Sequence, residues 1–255
     1  MTGAAVSSYP VPGLHCDPTL SDLEASSNMY NGLADDHEQP NVSEHHLNLL
    51  AQLYIRYKVQ DIFGVHLIHG HLKIPHNTIM LGSMFRRELS GYWTKPTPFE
   101  TVLANPVHGH IYTLSSDNRL LAYEYRDGLS PKNVTDIDQA FFQELSTYLT
   151  SNKLAGLLGL EVLEDTSSPR SQMLEFVLAG QGTVMVKEEA AHGDTYRVTG
   201  WSFAQEQDGT ISVKGNETHA GTAGGHQVFT DGKPLRNIDA VMNLLLQEGV
   251  IRDHY

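Results

Sequence analysis

Apolar positions become periodic after residue 42. Ser43 can cap a helix, and Leu47, Leu50, Leu53, Tyr54 and Tyr57 recur at helical spacing, so the pattern predicts a helix over about 44–59. From Ile62 to Ile74 the chain is apolar on both faces. Pro75-His76-Asn77 then supplies turn chemistry and TIMLGSMF resumes strand character, which together predict a hairpin. VHGHIYTL and RLLAYEYR, around Ser115-Ser116-Asp117-Asn118, predict a second hairpin. Between the two, GYWTKPTPFETVLANP carries three prolines and reads as a long ordered loop, a common place for function.

Further on, the pattern predicts a helix from a Thr135 or Asp136 cap to near Ser151, then a short second helix in LAGLLGL. QMLEFVLAG, TVMVKEE, TYRVTGWSFAQ and TISVKGN read as strands, separated by Gly-Gln-Gly, His192-Gly193-Asp194 and Gln-Asp-Gly turns. Leu235, Ile238, Val241, Met242 and Leu245 form one stripe of a last helix, about 235–248. Residues 1–42 are polar with scattered hydrophobes and read as an irregular N-terminal arm before a single domain over 43–255. With no βαβ alternation, the expected class is α+β: a largely antiparallel sheet built of hairpins, flanked by three or four helices.

Composition narrows the function classes. A formal charge of −13 repels phosphate backbones and anionic lipid, which disfavours nucleic-acid and membrane partners. A small-molecule substrate, with room for a homo-oligomer, fits better. Cys16 stands alone, which excludes an intrachain disulfide framework and a multi-thiolate zinc site. The N-terminus lacks the basic and apolar regions of a signal peptide, so the expected location is cytoplasmic. No nucleophile elbow, His-Glu-x-x-His helix, Walker loop or dinucleotide fingerprint is present. GNETHAGTAGGH, residues 215–226, is glycine-rich without a phosphate-binding lysine and reads as a surface loop.

The chemistry on offer is imidazole. In a strand, residues i and i+2 share a face, so His69 and His71 would point together, with His66 opposite and His76 in the turn. His108 and His110 would share a face with Tyr112. Should the two pairs meet, His69, His71, His108 and His110 could hold a divalent ion, Zn or Fe, with Glu124 or water completing the shell. Two other readings stand beside it: histidines hydrogen-bonded in the core, or a metal-free acid/base site in which His69 and His71 move protons and Tyr112 donates to an oxyanion. Tyr92, Trp93 and Trp201 are candidate substrate walls. Asp35, Asp36, His37, Glu38 and His45 read as a solvated surface, while His46 lies on the inward stripe of its helix.

Gly64, His69, His71 and Gly82 resemble the first cupin motif, with His76 standing where that motif has a carboxylate. Residues 45–165, through DIFGVHLIHGHLKIPHNTIMLG and LLAYEYRDG, are also similar to uncharacterised fungal proteins that carry a His-x-His strand after a helix. That resemblance implies a fungal source and a place in natural-product chemistry, but no activity. The expected function is a small-molecule enzyme with a His-lined pocket, using metal-assisted lyase, isomerase or oxygenase chemistry. A cofactor-free cyclase or isomerase, and a non-enzymatic binding protein, are the alternatives.

Overall fold

The structure is a computed structural model that describes residues 10–86, 89–129, 134, 136–163, 172–191, 195–221 and 226–251. The expected Thr135 cap and the His192-Gly193-Asp194 turn lie outside these residues.

Among the described residues, five α-helices accompany a β-barrel. Helix α1 spans Leu20–Gly32, inside the segment read as an irregular arm, and is started by a capping box between Thr19 and Asp22. Its buried face is Leu23, Ser26, Ser27 and Tyr30, half of it polar, so its apolar period is weak in the sequence. Helix α2 is Glu44–Arg56 with Ser43 as cap. Strands β1 (Phe63–Leu67), β2 (Thr78–Arg86) and β3 (Ser90–Pro98) follow, then α3 (Phe99–Leu103), β4 (Val107–Leu114) and β5 (Leu120–Asp127). Helix α4 (Gln139–Ser151), capped by Asp138, precedes β6 (Leu158–Val162), β7 (Met173–Leu178), β8 (Gly182–Lys187), β9 (Thr195–Gln205), β10 (Ile211–Ala220), β11 (Gln227–Val228) and α5 (Ile238–Gln247).

The strand order is β10-β9-β1-β6-β4-β5-β2-β3-β8-β7-β11, and β10 also pairs with β7. That last pairing closes ten strands into a mixed barrel, which corrects the expected α+β fold, a largely antiparallel sheet of hairpins flanked by three or four helices. Two contacts in the ring are parallel, β2 with β5 and β7 with β10. The β4–β5 hairpin forms as expected. The first expected hairpin does not: β1 ends at Leu67 and pairs with β6 and β9, while β2 pairs with β3 and β5. The expected 91–106 loop is mostly β3 and α3, two of its three prolines, Pro96 and Pro98, sitting where β3 is paired with β2 by register, and LAGLLGL ends in β6 instead of a helix. Apolar runs this short do not distinguish strand from buried helix, and the choice of partner strand is non-local.

Helices α1 and α2 pack against the barrel, α1 on β2 and β5, α2 on β9, β10 and α4. The largest apolar cluster, which includes Tyr54, Phe63, Phe141, Phe142 and Phe203, forms around α2 and α4. A second gathers Phe176, Val184 and Val186 with Val241 and Leu245 of α5. Alternate strand positions are therefore free to carry polar groups, and many buried ones do: His110, Glu124, Arg126, Glu161, Glu175, Glu217 and His219.

Candidate metal centre

The seam that closes the barrel builds the site. Where β10 runs parallel to β7, His219 stands directly opposite Glu175. The chain leaving β1 then folds over them, tied down by Ile68 N–H to Leu157 O (2.9 Å), Gly70 N–H to Ala34 O (2.9 Å) and Gln39 Nε2–H to Ile68 O (2.7 Å). This turn carries His69 and His71 inward. Three imidazole Nε2 atoms converge on one oxygen, Glu175 Oε2: His219 at 2.8 Å, His71 at 3.6 Å and His69 at 3.9 Å.

The opposite nitrogens face outer acceptors. His69 Nδ1 donates to Leu67 O at 2.7 Å, and His219 Nδ1 lies 3.2 Å from Asp36 Oδ2. In metal proteins, such outer partners fix the tautomer and aim the Nε2 lone pair at the ion. Asp36 is fully buried and sits on a short 3-10 turn, Asp36–Glu38, capped by Asp35. Arg197 clamps that turn by donating to the carbonyls of Asp36, Gln39 (3.0 Å) and Pro40 (2.7 Å).

Charge and burial oppose each other here. Burial holds the His69 imidazole down at about 3, against the nearby Glu175 carboxylate. Burial would also raise Glu175, yet the facing His71, the hydrogen bond with His219 and the nearby His69 bring its carboxyl well below the usual range. His219, desolvated but held between Asp36 and Glu175, is raised to about 9. Asp36 is pulled down by His219 and Asp35 despite its burial.

Ligand atoms of His69, His71, Glu175 and His219 all lie within 4.8 Å of one another, a grouping that can hold a metal ion. Bonds of about 2.1 Å in a tetrahedral site place ligand atoms about 3.4 Å apart. His71 and His69 are within a few tenths of an ångström of that separation from Glu175 Oε2; the His219 contact must open by a similar amount. His69, with its Nδ1 proton given to Leu67 O, turns an Nε2 lone pair toward that carboxylate, a repulsion that a cation between them would reverse.

Of the expected site residues, His69 and His71 do come together, but in a turn and not on a strand. His66, expected on the opposite face, stacks on His69 with ring centroids 5.1 Å apart, because strand alternation ends at Leu67. The four-histidine convergence is corrected: β6 lies between β1 and β4, and His110 joins a separate buried group with Glu161 and Glu217. A bulge between Gly109 and Ile111 skips His110 in the β4–β5 register, so the i, i+2 relation to His108 is lost. His108 pairs through Nδ1 with Gly128 O at 3.2 Å. Tyr112 is wholly buried in the large apolar cluster. Tyr92 stacks on Arg126, Trp93 lies under Lys95 in the α5-side core and Trp201 packs half-buried on the large cluster. Glu124 is buried on β5 outside the metal-compatible groups found among the described residues. His76 is exposed in its turn, and His46 turns toward α4, pairing with Tyr148 Oη at 2.8 Å.

The residues not foreseen are Glu175, His219 and Asp36. Each left a trace: a single carboxylate inside the apolar QMLEFVLAG, the i, i+2 pair Glu217-x-His219, and an acidic turn taken for a solvated surface. A cavity of about 530 Å³ adjoins the Asp36 turn and the turn after β1, lined by Leu33, Ala34, Gln39, Ile68 and Thr113 among others. Comparison with protein-family models, curated proteins and solved structures found no match. Among the described residues, no helix is long and apolar enough to cross a membrane.

Proposed function

We propose that the protein is a metal-dependent enzyme acting on a small molecule, with a divalent ion, Zn or Fe, held by His69, His71, His219 and Glu175. The observation that carries the reading is the convergence of three Nε2 atoms on Glu175 Oε2, with two of the imidazoles backed by outer acceptors. Three nitrogens and one carboxylate oxygen suit a first-row divalent metal. Bound there, the ion would supply Lewis acidity toward a substrate oxygen or an acidified water.

The chain's own groups set the conditions. Burial excludes bulk water from the donors and strengthens every charge interaction among them. Asp36 orients His219, and Leu67 O orients His69. The 530 Å³ cavity is within the size range for a small ligand, and its walls alternate with site residues along the chain: Ala34 and Gln39 flank Asp36, and Ile68 precedes His69. We assign substrate approach to that side, beside residues 34–39. A lyase or isomerase reaction on an oxygenated natural product is the class this arrangement suits.

The test is conversion of a panel of hydroxyl- and carbonyl-bearing metabolites by Zn- or Fe(II)-loaded protein, followed by mass spectrometry. Metal-dependent product formation that disappears in Glu175→Gln and His71→Ala supports the reading. Conversion that persists unchanged in metal-free protein or in both variants refutes it.

A further inference from the structure

A second set of polar groups lies deeper in the barrel. Ligand atoms of His110, Glu161 and Glu217 also fall within 4.8 Å of one another, and all three residues are more than nine-tenths buried. Two carboxylates this close and this desolvated are costly unless a cation lies between them or each is fully paired. The neighbours around them include an amide, an imidazole and the nearby Arg126 charge. Asn216 Nδ2 donates to both oxygens of Glu161 (3.0 and 3.2 Å), and Glu217 Oε2 lies 3.1 Å from His66 Nε2. His110 Nδ1 faces Val162 O at 3.2 Å, which fixes the ring with its Nε2 side toward the two carboxylates.

The backbone is shaped around these side chains. Glu161 stands opposite Gly64 in the β1–β6 ladder, and Glu217 opposite Gly200 in the β9–β10 ladder. A Cβ on Gly64 would lie 2.7 Å from Trp201 O and 3.1 Å from Glu161 Oε2; one on Gly200 would lie 2.9 Å from Glu217 Cβ and 3.0 Å from Asn216 Oδ1. Only glycine leaves that space. Register shifts fall at the same place: His110 is extra on β4, and Asn216 is extra on β10 between Gly215 and Glu217. Bulges re-aim side chains and concentrate beside functional sites. Two glycines and two bulges on four strands thus serve one trio of donors.

We infer that His110, Glu161 and Glu217 form a second divalent-cation site, distinct from the seam centre, with Asn216 holding Glu161 in place from outside. One imidazole and two carboxylates make a harder donor set than three imidazoles and one carboxylate, so this site takes Mn²⁺ readily and Zn²⁺ as well. His66 separates the two sites, its ring stacked on His69 and its Nε2 on Glu217, so they are neighbours that share no donor of either group.

The experiment counts metal in chelator-stripped full-length protein titrated with Zn²⁺ and, separately, Mn²⁺, by elemental analysis after desalting and by calorimetry. Wild type is expected to bind two equivalents of Zn²⁺. Glu161→Gln and Glu217→Gln should each bind one, His71→Ala should bind one, and the His71→Ala/Glu161→Gln double variant none. Circular dichroism checks each fold, and His110→Gln replaces either glutamine variant that fails to fold. Mn²⁺ should fill the Glu161-dependent site first, by at least tenfold in affinity. One equivalent in wild type, abolished by His71→Ala and untouched by Glu161→Gln and Glu217→Gln, overturns the second site and leaves the seam centre standing. One equivalent lost with Glu161→Gln but kept in His71→Ala does the reverse. Two equivalents in wild type and in every glutamine variant also overturn the assignment, and zero overturns both sites.

Discussion

Asp36→Asn isolates the outer support of the centre. Asparagine keeps the size of the buried side chain and an acceptor near His219 Nδ1, now 3.2 Å from a carboxylate oxygen, but removes the charge. Loss of an outer-shell carboxylate of this kind costs about 10–100-fold in metal affinity, or about 1.4–2.8 kcal/mol. At a free metal concentration about 100 times the wild-type Kd, binding stabilises the fold by about 2.7 kcal/mol; in the variant this falls to about 1.4 or 0.4 kcal/mol. At about 2–4 °C per kcal/mol, the metal-induced rise in Tm drops from about 8 °C to about 1–4 °C. Affinity is read by competition with a chromophoric chelator, and Tm by calorimetry with and without metal. A folded Asp36→Asn protein with wild-type affinity and an unchanged metal-induced Tm rise would refute the role of Asp36 and the orientation argument built on it.

Three further outcomes follow from the same geometry. Burial, with the Glu175 charge second, pushes the Glu124 carboxyl up to about 7 from 4.5, so between these values the folded chain keeps a proton the unfolded chain has lost and stability falls as pH rises; Glu124→Gln removes a cost on the order of 3 kcal/mol above pH 7. Urea midpoints of metal-free protein should therefore show the variant gaining on wild type from pH 5 to pH 8, and parallel curves would contradict the shift. Arg197→Ala removes charge-assisted bonds worth about 1.5–3 kcal/mol each, so amide exchange at residues 35–40 should accelerate at least about tenfold while β4 and β5 keep their protection; unchanged exchange would show that the clamp is idle. Thr19→Ala breaks the α1 capping box and should lower Tm by about 2–4 °C, from a loss of about 1 kcal/mol, with metal affinity unaltered; a Tm shift near zero would mean the cap does not hold α1.

What was legible in the sequence divides along local and non-local lines. Helix α2 follows from its Ser43 cap and apolar period, α4 from its apolar period although its cap is Asp138 and not Asp136, and the β4–β5 hairpin from turn chemistry within a short window. The barrel does not, because its closure depends on β10 meeting β7 in parallel across a long stretch of chain, and no local pattern names that partner. The site divides in the same way. His69 and His71 stand out as a close pair, while Glu175, His219 and Asp36 reach them only through the seam and the strap. His108 and His110 show how a bulge defeats alternation: one inserted residue cancels the face rule on which their convergence rested.

The most direct test of the account is an anomalous difference map from crystals grown with Zn²⁺ or Fe²⁺, collected at the edge of the metal. The account predicts a peak at about 2.0–2.2 Å from Nε2 of His69, His71 and His219 and from a Glu175 carboxylate oxygen. A map with no peak there, and with His219 Nε2 still 2.8 Å from Glu175 Oε2, would contradict it.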